Sequence, residues 1–378
     1  MREAKMGNKA TVGLALLAVV SGGALAQPSA ALYGIIDVGV QWNKQYAADS
    51  NQRESLWSID SGYQSGSRFG VRGFESLGGA FAAIYQLEGG IDVSTGQSTQ
   101  GGLLFGRQAW VGLQGGFGQL VAGRLATPSS GTGSFDMWGA IDPFAAGFGV
   151  NATGSTFIAA NALREDNAVL YVTPLLAGLK VAAGYSFNRG GSETTPQDSN
   201  SSAVNLAASF SAGAFYAALT YDILSYPEGG SATANAGNPD QRLLQLGGTL
   251  DLKVVKLHGA WANQDNISAV RAGVSIAPPA GVNAYDNQAW MLGASMPVGR
   301  GSLMASYQYA NGSSISYASA AGTATFDPDY QVWGLGYSYP FSLRTNFYLG
   351  YGQVSAKGTL DSTQVDRQQA AMGLRYRF

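Results

Sequence analysis

Beyond residue 26 the chain contains no apolar run long enough to cross a bilayer as a helix, yet it repeats short segments that are greasy on alternate residues. Phe378, Tyr376, Leu374, Met372 and Ala370 share one face of the last segment, while Arg377, Arg375, Gly373, Ala371 and Gln369 share the other. A strand points successive side chains to opposite faces, so this segment has an apolar side and a side carrying two guanidiniums. The same theme recurs in Leu32 to Trp42, Phe81 to Leu87, Leu179 to Phe187, Phe215 to Ile223, Leu244 to Leu252, Trp290 to Met296 and Phe347 to Tyr351. One such segment is weak evidence, but a chain-long series of about ten-residue alternations is the signature of strands that span a membrane. Lipid offers no partner to backbone N–H and C=O groups, so a chain without spanning helices crosses only as a closed barrel.

The composition agrees. Arg2, Lys5 and Lys9 precede an apolar stretch over 12–25, and Ala24-Leu25-Ala26 fits a small-residue cleavage site. About 14 apolar residues fall short of the roughly 20 of a spanning helix, so residues 1–26 are expected to be a cleaved secretory signal. The remaining chain has 19 Lys+Arg against 23 Asp+Glu, a formal charge of −4, which is no footprint for nucleic acid. Charged residues make up only 12% of the chain, about half the share in soluble domains. Without cysteine there is no disulfide, thiolate metal site or cysteine nucleophile, and no residue set points to a metal or cofactor.

Connectors alternate between short Gly-rich turns, such as Leu77-Gly78-Gly79 and Val298-Gly299-Arg300-Gly301, and long polar stretches such as 188–201, 225–240, 265–286 and 312–328. Short turns belong on the periplasmic side of such barrels and long loops outside. Seven short and eight long connectors predict one all-β domain over 27–378, a sixteen-stranded antiparallel transmembrane barrel, wide enough for an aqueous channel. The longest gap, 126–163, has only Asp136 and Asp142 as charges and carries Phe135, Met137, Trp138, Ile141, Phe144 and Phe148. That much apolar surface predicts a loop folded into the barrel, since long ordered loops are commonly functional.

Several stretches are familiar at this point. Ala31-Leu-Tyr-Gly-Ile-Ile-Asp37, Ser65-Gly-Ser-Arg-Phe-Gly-Val-Arg-Gly73, Tyr85-Gln-Leu-Glu88, Phe105-Gly-Arg-Gln-Ala-Trp-Val-Gly-Leu113, Ala122-Gly-Arg124 and the ending Gly373-Leu-Arg-Tyr-Arg-Phe378 follow one another in order. Together they resemble the trimeric general porins of β-proteobacteria and Neisseria. The resemblance implies an outer-membrane homotrimer whose third loop enters each pore and which passes ions and small hydrophilic solutes by diffusion. The loop departs from the pattern: Asp142-Pro143-Phe144 and Gly147-Phe148-Gly149 stand where many relatives carry an acidic Pro-Glu-Phe-Gly-Gly-like turn. Charge selectivity is therefore not carried over.

A diffusion pore needs a narrow opening with charged walls rather than a catalyst. By parity Arg68 and Arg72 point into the lumen, and Arg124 lies just before the long loop, so these three are expected to face Asp136 and Asp142 across a constriction. Asp37, Glu88, Lys180, Arg375 and Arg377 also fall on lumen faces and read as solvated wall, and Glu165-Asp166 reads as a solvated loop end. Arg107 breaks the pattern by sharing parity with the apparent lipid face of Ala109, Val111 and Leu113. Trp42, Trp57, Trp261 and Trp290 suit aromatic girdles. Phe378 is expected to serve membrane insertion. The rival readings are a substrate-specific channel with a tyrosine-rich wall, and a barrel-embedded hydrolase built on the single histidine, His258.

Overall fold

The computed structural model describes residues 29–46, 53–149, 164–191, 193, 199–227, 239–267, 270–272, 274–276, 284–319, 322–327, 329–356 and 365–378. The expected leader, 1–26, lies outside them. One antiparallel sheet of seventeen segments runs around the molecule, with consecutive wall strands paired. Arg53–Ser61 and Arg68–Gly78 are two halves of a single wall strand, both paired with the first strand, Ser29–Tyr46, so the barrel counts sixteen strands. It closes where the first strand meets the last, Val365–Arg377, in register from Ile35↔Arg377 to Gln45↔Arg367. Closure removes the sheet edges that lipid could not satisfy.

The alternation read from the sequence is the inside–outside pattern of this wall. Leu32 is 67% exposed, Leu246 51% and Leu292 72%, all on the outer face. Asp37, Gln245 and Gln308 are fully buried on the inner face. Two stretches read as polar loop contain short hairpins, Val270–Ala272 with Val274–Ile276 and Ile315–Ser319 with Gly322–Phe326. Ile315, Tyr317 and Phe326 pack with the upper barrel interior, which explains why a Ser- and Ala-rich segment holds strand geometry.

The break in the second wall strand is the main departure from a regular barrel. Val38 pairs with Ser61 and Ile35 with Arg68, so six residues, 62–67, stand opposite Ile36 and Asp37 alone. Gly62 opens the excursion at φ +82°, a left-handed conformation that side chains other than glycine rarely adopt. Tyr63, Gln64 and Ser67 end up buried within the barrel.

At the closing seam Phe378 exchanges two backbone hydrogen bonds with Gly34, each 3.1 Å. Its ring covers Gly34: a side chain there would strike the ring and put its first carbon 2.8 Å from the Arg68 carbonyl oxygen. A Gly34→Leu substitution is expected to open this seam at a cost of about 1–3 kcal/mol, the usual range for overpacking. The folded form should then unfold in detergent at lower temperature than wild type on a heat-modifiable gel.

Candidate functional site

The long loop begins where the fifth wall strand, Gly118–Ala126, ends. Its described part, through Gly149, meets the inward faces of several strands. Trp138 and Ile141 are fully buried and cluster with Ala218, Leu243, Ala262 and Met291 of the wall. Tyr216 donates from its hydroxyl to the Met137 carbonyl at 2.6 Å. Phe135 stacks tilted on Trp110, with ring centroids 5.1 Å apart. Further along, Phe144 and Phe148 join Tyr63, Tyr348 and Met304, and Gly149 N–H donates to the Tyr63 carbonyl at 3.0 Å. Residues 150–163, the second part of the expected loop, lie outside the described residues.

The loop acids are engaged locally. Asp136 accepts from the N–H groups of Trp138 and Gly139, and Asp142 from those of Phe144 at 2.9 Å and Ala146 at 2.9 Å. Short carboxylates cap turns this way, satisfying backbone donors that a buried loop would otherwise leave unpaired. Burial pushes the Asp136 carboxyl above the ordinary carboxylate range, outweighing the backbone donors that favour its ionised form. The sign follows: the folded state holds this proton more tightly, so the contribution of Asp136 to stability falls as pH rises from the ordinary carboxylate pKa through the folded one. An Asp136→Asn variant is expected to lose that pH dependence, read as unfolding midpoints between pH 3.5 and pH 7.

The basic residues form a cluster of their own. Arg107, 7% exposed, donates from Nε to Glu88 Oε1 at 2.7 Å, and Arg68 lies 3.9 Å from the same oxygen. Tyr33 donates to the other carboxylate oxygen at 2.9 Å. Arg164 donates to the Arg107 carbonyl at 2.9 Å and is within electrostatic reach of Arg107, Arg124, Glu88 and Arg68. Arg124 pairs with Asp166 and donates to the Gly106 carbonyl at 2.8 Å. Arg72 is exposed and sits 5.1 Å over the Tyr33 ring.

Sequence and structure differ here in three ways. Arg68 and Arg124 have Glu88 and Asp166 as partners, while Asp136 and Asp142 accept from loop N–H groups, so the pairs seen lie within the wall and within the loop. Arg107 does not face lipid, because the strand Gln108–Gly115 starts one residue later and parity does not extend to it. Glu165 is not solvated: it is 1% exposed and accepts from Arg189 at 3.2 Å. Arg164 was not singled out by the sequence; its place at a strand start beside the acidic pair was the available signal.

Asp37 and Glu88 are buried rather than solvated wall. Asp37 accepts from Tyr348 at 2.6 Å and from Ser65 N–H at 2.6 Å, while its own backbone N–H donates to Ser67 Oγ at 2.9 Å. It therefore pins the strand excursion to the first strand. Arg375 donates to Asn346 at 2.9 Å and to Ser65 at 2.7 Å. Lys180 is half-buried, and Arg377 is exposed at the turn-side rim beside Arg300 and Arg344.

His258 is 6% exposed on the lumen face. A carbonyl only accepts, so Nδ1 carries the proton given to Ile141 at 2.9 Å, and Nε2 accepts from Ser295 at 3.0 Å. The imidazole thus anchors the long loop to the wall.

A closed sixteen-stranded barrel with an apolar outer band, a polar interior and an ordered loop along its inner wall is a channel of the bacterial outer membrane. The chain belongs to the Gram-negative porin family, whose model matches residues 13–359. It is 34% identical to an outer membrane porin protein of Bordetella pertussis, over 98% of this chain and all of that one. It is 32% identical to outer membrane porin protein 32 of Delftia acidovorans, over 77% of this chain and 76% of that one. Among solved structures it resembles the anion-selective porin from Comamonas acidovorans, with a TM-score of 0.70 and 22% identity over 93% of this chain and all of that one. The protein is accordingly an outer-membrane porin forming a channel for diffusion, and not an enzyme.

Proposed function

We propose that the channel is narrowed by the loop over 126–163 and prefers small anions there. The observation that carries this reading is the convergence of Arg68, Arg107, Arg124 and Arg164 beside the loop's start, against Glu88 and Asp166. Four guanidiniums against two carboxylates leave a positive surplus at the wall, and wall charge biases which ions enter a pore. Arg72, Arg375, Arg377 and Lys180 add to the surplus, whereas Asp136 and Asp142 direct their carboxylates to the loop backbone. Ions and small hydrophilic solutes are the cargo in this reading, with outer-membrane lipid around the barrel and a leader over 1–26 for export.

The same reading makes the protein a homotrimer. Its support is a pair of apolar hollows on the outer face, where the first two wall strands meet the last four. Val40, Trp57, Leu335, Leu349 and Met372 line one, and Ile59, Phe341 and Phe347 line part of the other. A second copy of such a face fits hollows of this kind through close packing. Single-channel recording tests both proposals. Closure in three equal steps, with reversal potentials on the anion side in a salt gradient, is the expected result. Single-step closure contradicts the trimer, and cation-side potentials contradict the anion preference.

A further inference from the structure

Four inward-facing glycines lie on wall strands that the long loop crosses, and at each a side chain would strike another segment's. A first side-chain carbon on Gly247 would lie 2.8 Å from Ile141, and one on Gly293 2.8 Å from Pro143. On Gly336 it would lie 2.8 Å from Phe144 and 3.3 Å from Phe148, and on Gly350 2.6 Å from the Tyr63 hydroxyl and 3.1 Å from Phe148. Carbon contacts normally stay near 3.5–4.0 Å, so each site has room for the incoming side chain only because the wall residue has none. Glycine inside a strand weakens it and often marks a close approach by another part of the chain.

The register connects these positions around the wall. His258, which holds the Ile141 carbonyl, pairs directly with Gly293. Met304, part of the Phe144 and Phe148 cluster, pairs with Gly336, and Gly336 pairs with Gly350. Other wall glycines differ in what covers them. Gly70 meets Tyr33 and Gly301 meets Tyr337, aromatic residues of neighbouring strands, and Gly259 has nothing within 4 Å.

We infer that Gly247, Gly293, Gly336 and Gly350 form a recessed seat in the inner wall that fixes how far the loop stands into the lumen, and so sets the size limit for solutes. This rests on the loop being the constriction. The loop's thickness is partly absorbed by the wall, so filling the seat drives the loop toward the opposite side.

The test uses the full barrel, which has no native cysteine. Pro143→Cys with Gly293→Cys is expected to cross-link under mild oxidation, with reduced and oxidised forms conducting alike. Gly293→Leu with Gly336→Leu is expected to lower single-channel conductance by about twofold and exclude smaller polymers, since pore diameter controls passage. Gly259→Ala serves as the control and should behave as wild type. Two results overturn the seat: a folded double-cysteine protein that forms no cross-link, or a folded double-leucine protein that conducts like wild type. If the leucine variant does not fold, the cross-link decides. A wild type that passes no solute would instead overturn the diffusion reading, and the cross-link would still report on the seat.

Discussion

Replacing Arg68 and Arg107 together with alanine is expected to reverse the ion preference of the channel toward cations. Both guanidiniums lie against Glu88, so their removal also leaves that carboxylate without its two basic partners in the wall. At roughly 8 Å and an effective dielectric near 40, one unit charge shifts a passing ion by about 1 kcal/mol, opposite in sign for anion and cation. Two charges, discounted for screening in a water-filled lumen, predict a change of roughly tenfold in the anion-to-cation permeability ratio. Reversal potentials in a potassium chloride gradient read this directly. Arg72→Ala is the instructive comparison. Its side chain is exposed and lies over the Tyr33 ring rather than against Glu88, so the expected change is about threefold or less. A large Arg72 effect with an unchanged Arg68/Arg107 double variant would contradict this placement.

The second large effect is on stability. Asp37→Ala removes the acceptor shared by the Tyr348 hydroxyl and the Ser65 N–H and leaves both donors inside the barrel. Stranding buried donors costs about 1–3 kcal/mol each, so the loss should be about 3 kcal/mol, with the strand excursion over 62–67 released from the first strand. Tyr63 stacks on Tyr348 at 5.8 Å and meets Phe148 edge-on at 5.9 Å, so the disturbance reaches the long loop. Tyr348→Phe removes one of these bonds and keeps the ring, and should cost about 1 kcal/mol. Unfolding midpoints in detergent, together with open-channel noise, separate the two variants. Equal midpoints for Asp37→Ala and wild type would show that Asp37 does not hold the excursion.

What the sequence made legible follows from one physical rule. Inside and outside alternate with period two along a paired strand, so Leu32, Leu246 and Leu292 outside and Asp37, Gln245 and His258 inside could be assigned by parity alone. Parity stops where pairing stops. Arg107 sits one residue before its strand, and its direction is set by Glu88 rather than by pleat. The excursion at 62–67 is hidden for a similar reason: only the shared partner strand reveals the halves on either side of it as one.

The loop shows a different limit. Its apolar content pointed to an ordered loop, and in the described part, 126–149, Trp138, Ile141 and Phe148 are buried against the wall. The partners of its acids were not legible, because Asp136 and Asp142 bind N–H groups two to four residues away, where any turn of suitable shape supplies donors. Glu165 likewise looked solvated beside Asp166, whereas Arg189, brought across by the next hairpin, makes its burial tolerable.

A water-filled pore narrowed by a loop and biased by a positive wall would sort solutes by both size and charge. Its most direct test is the swelling of liposomes carrying the refolded protein, in neutral sugars of increasing size and in small organic anions and cations of matched size. Entry rates are expected to fall steeply with sugar size, with each anion faster than its matched cation. Liposomes that contain folded barrels and stay unswollen in the smallest sugar would contradict such a pore.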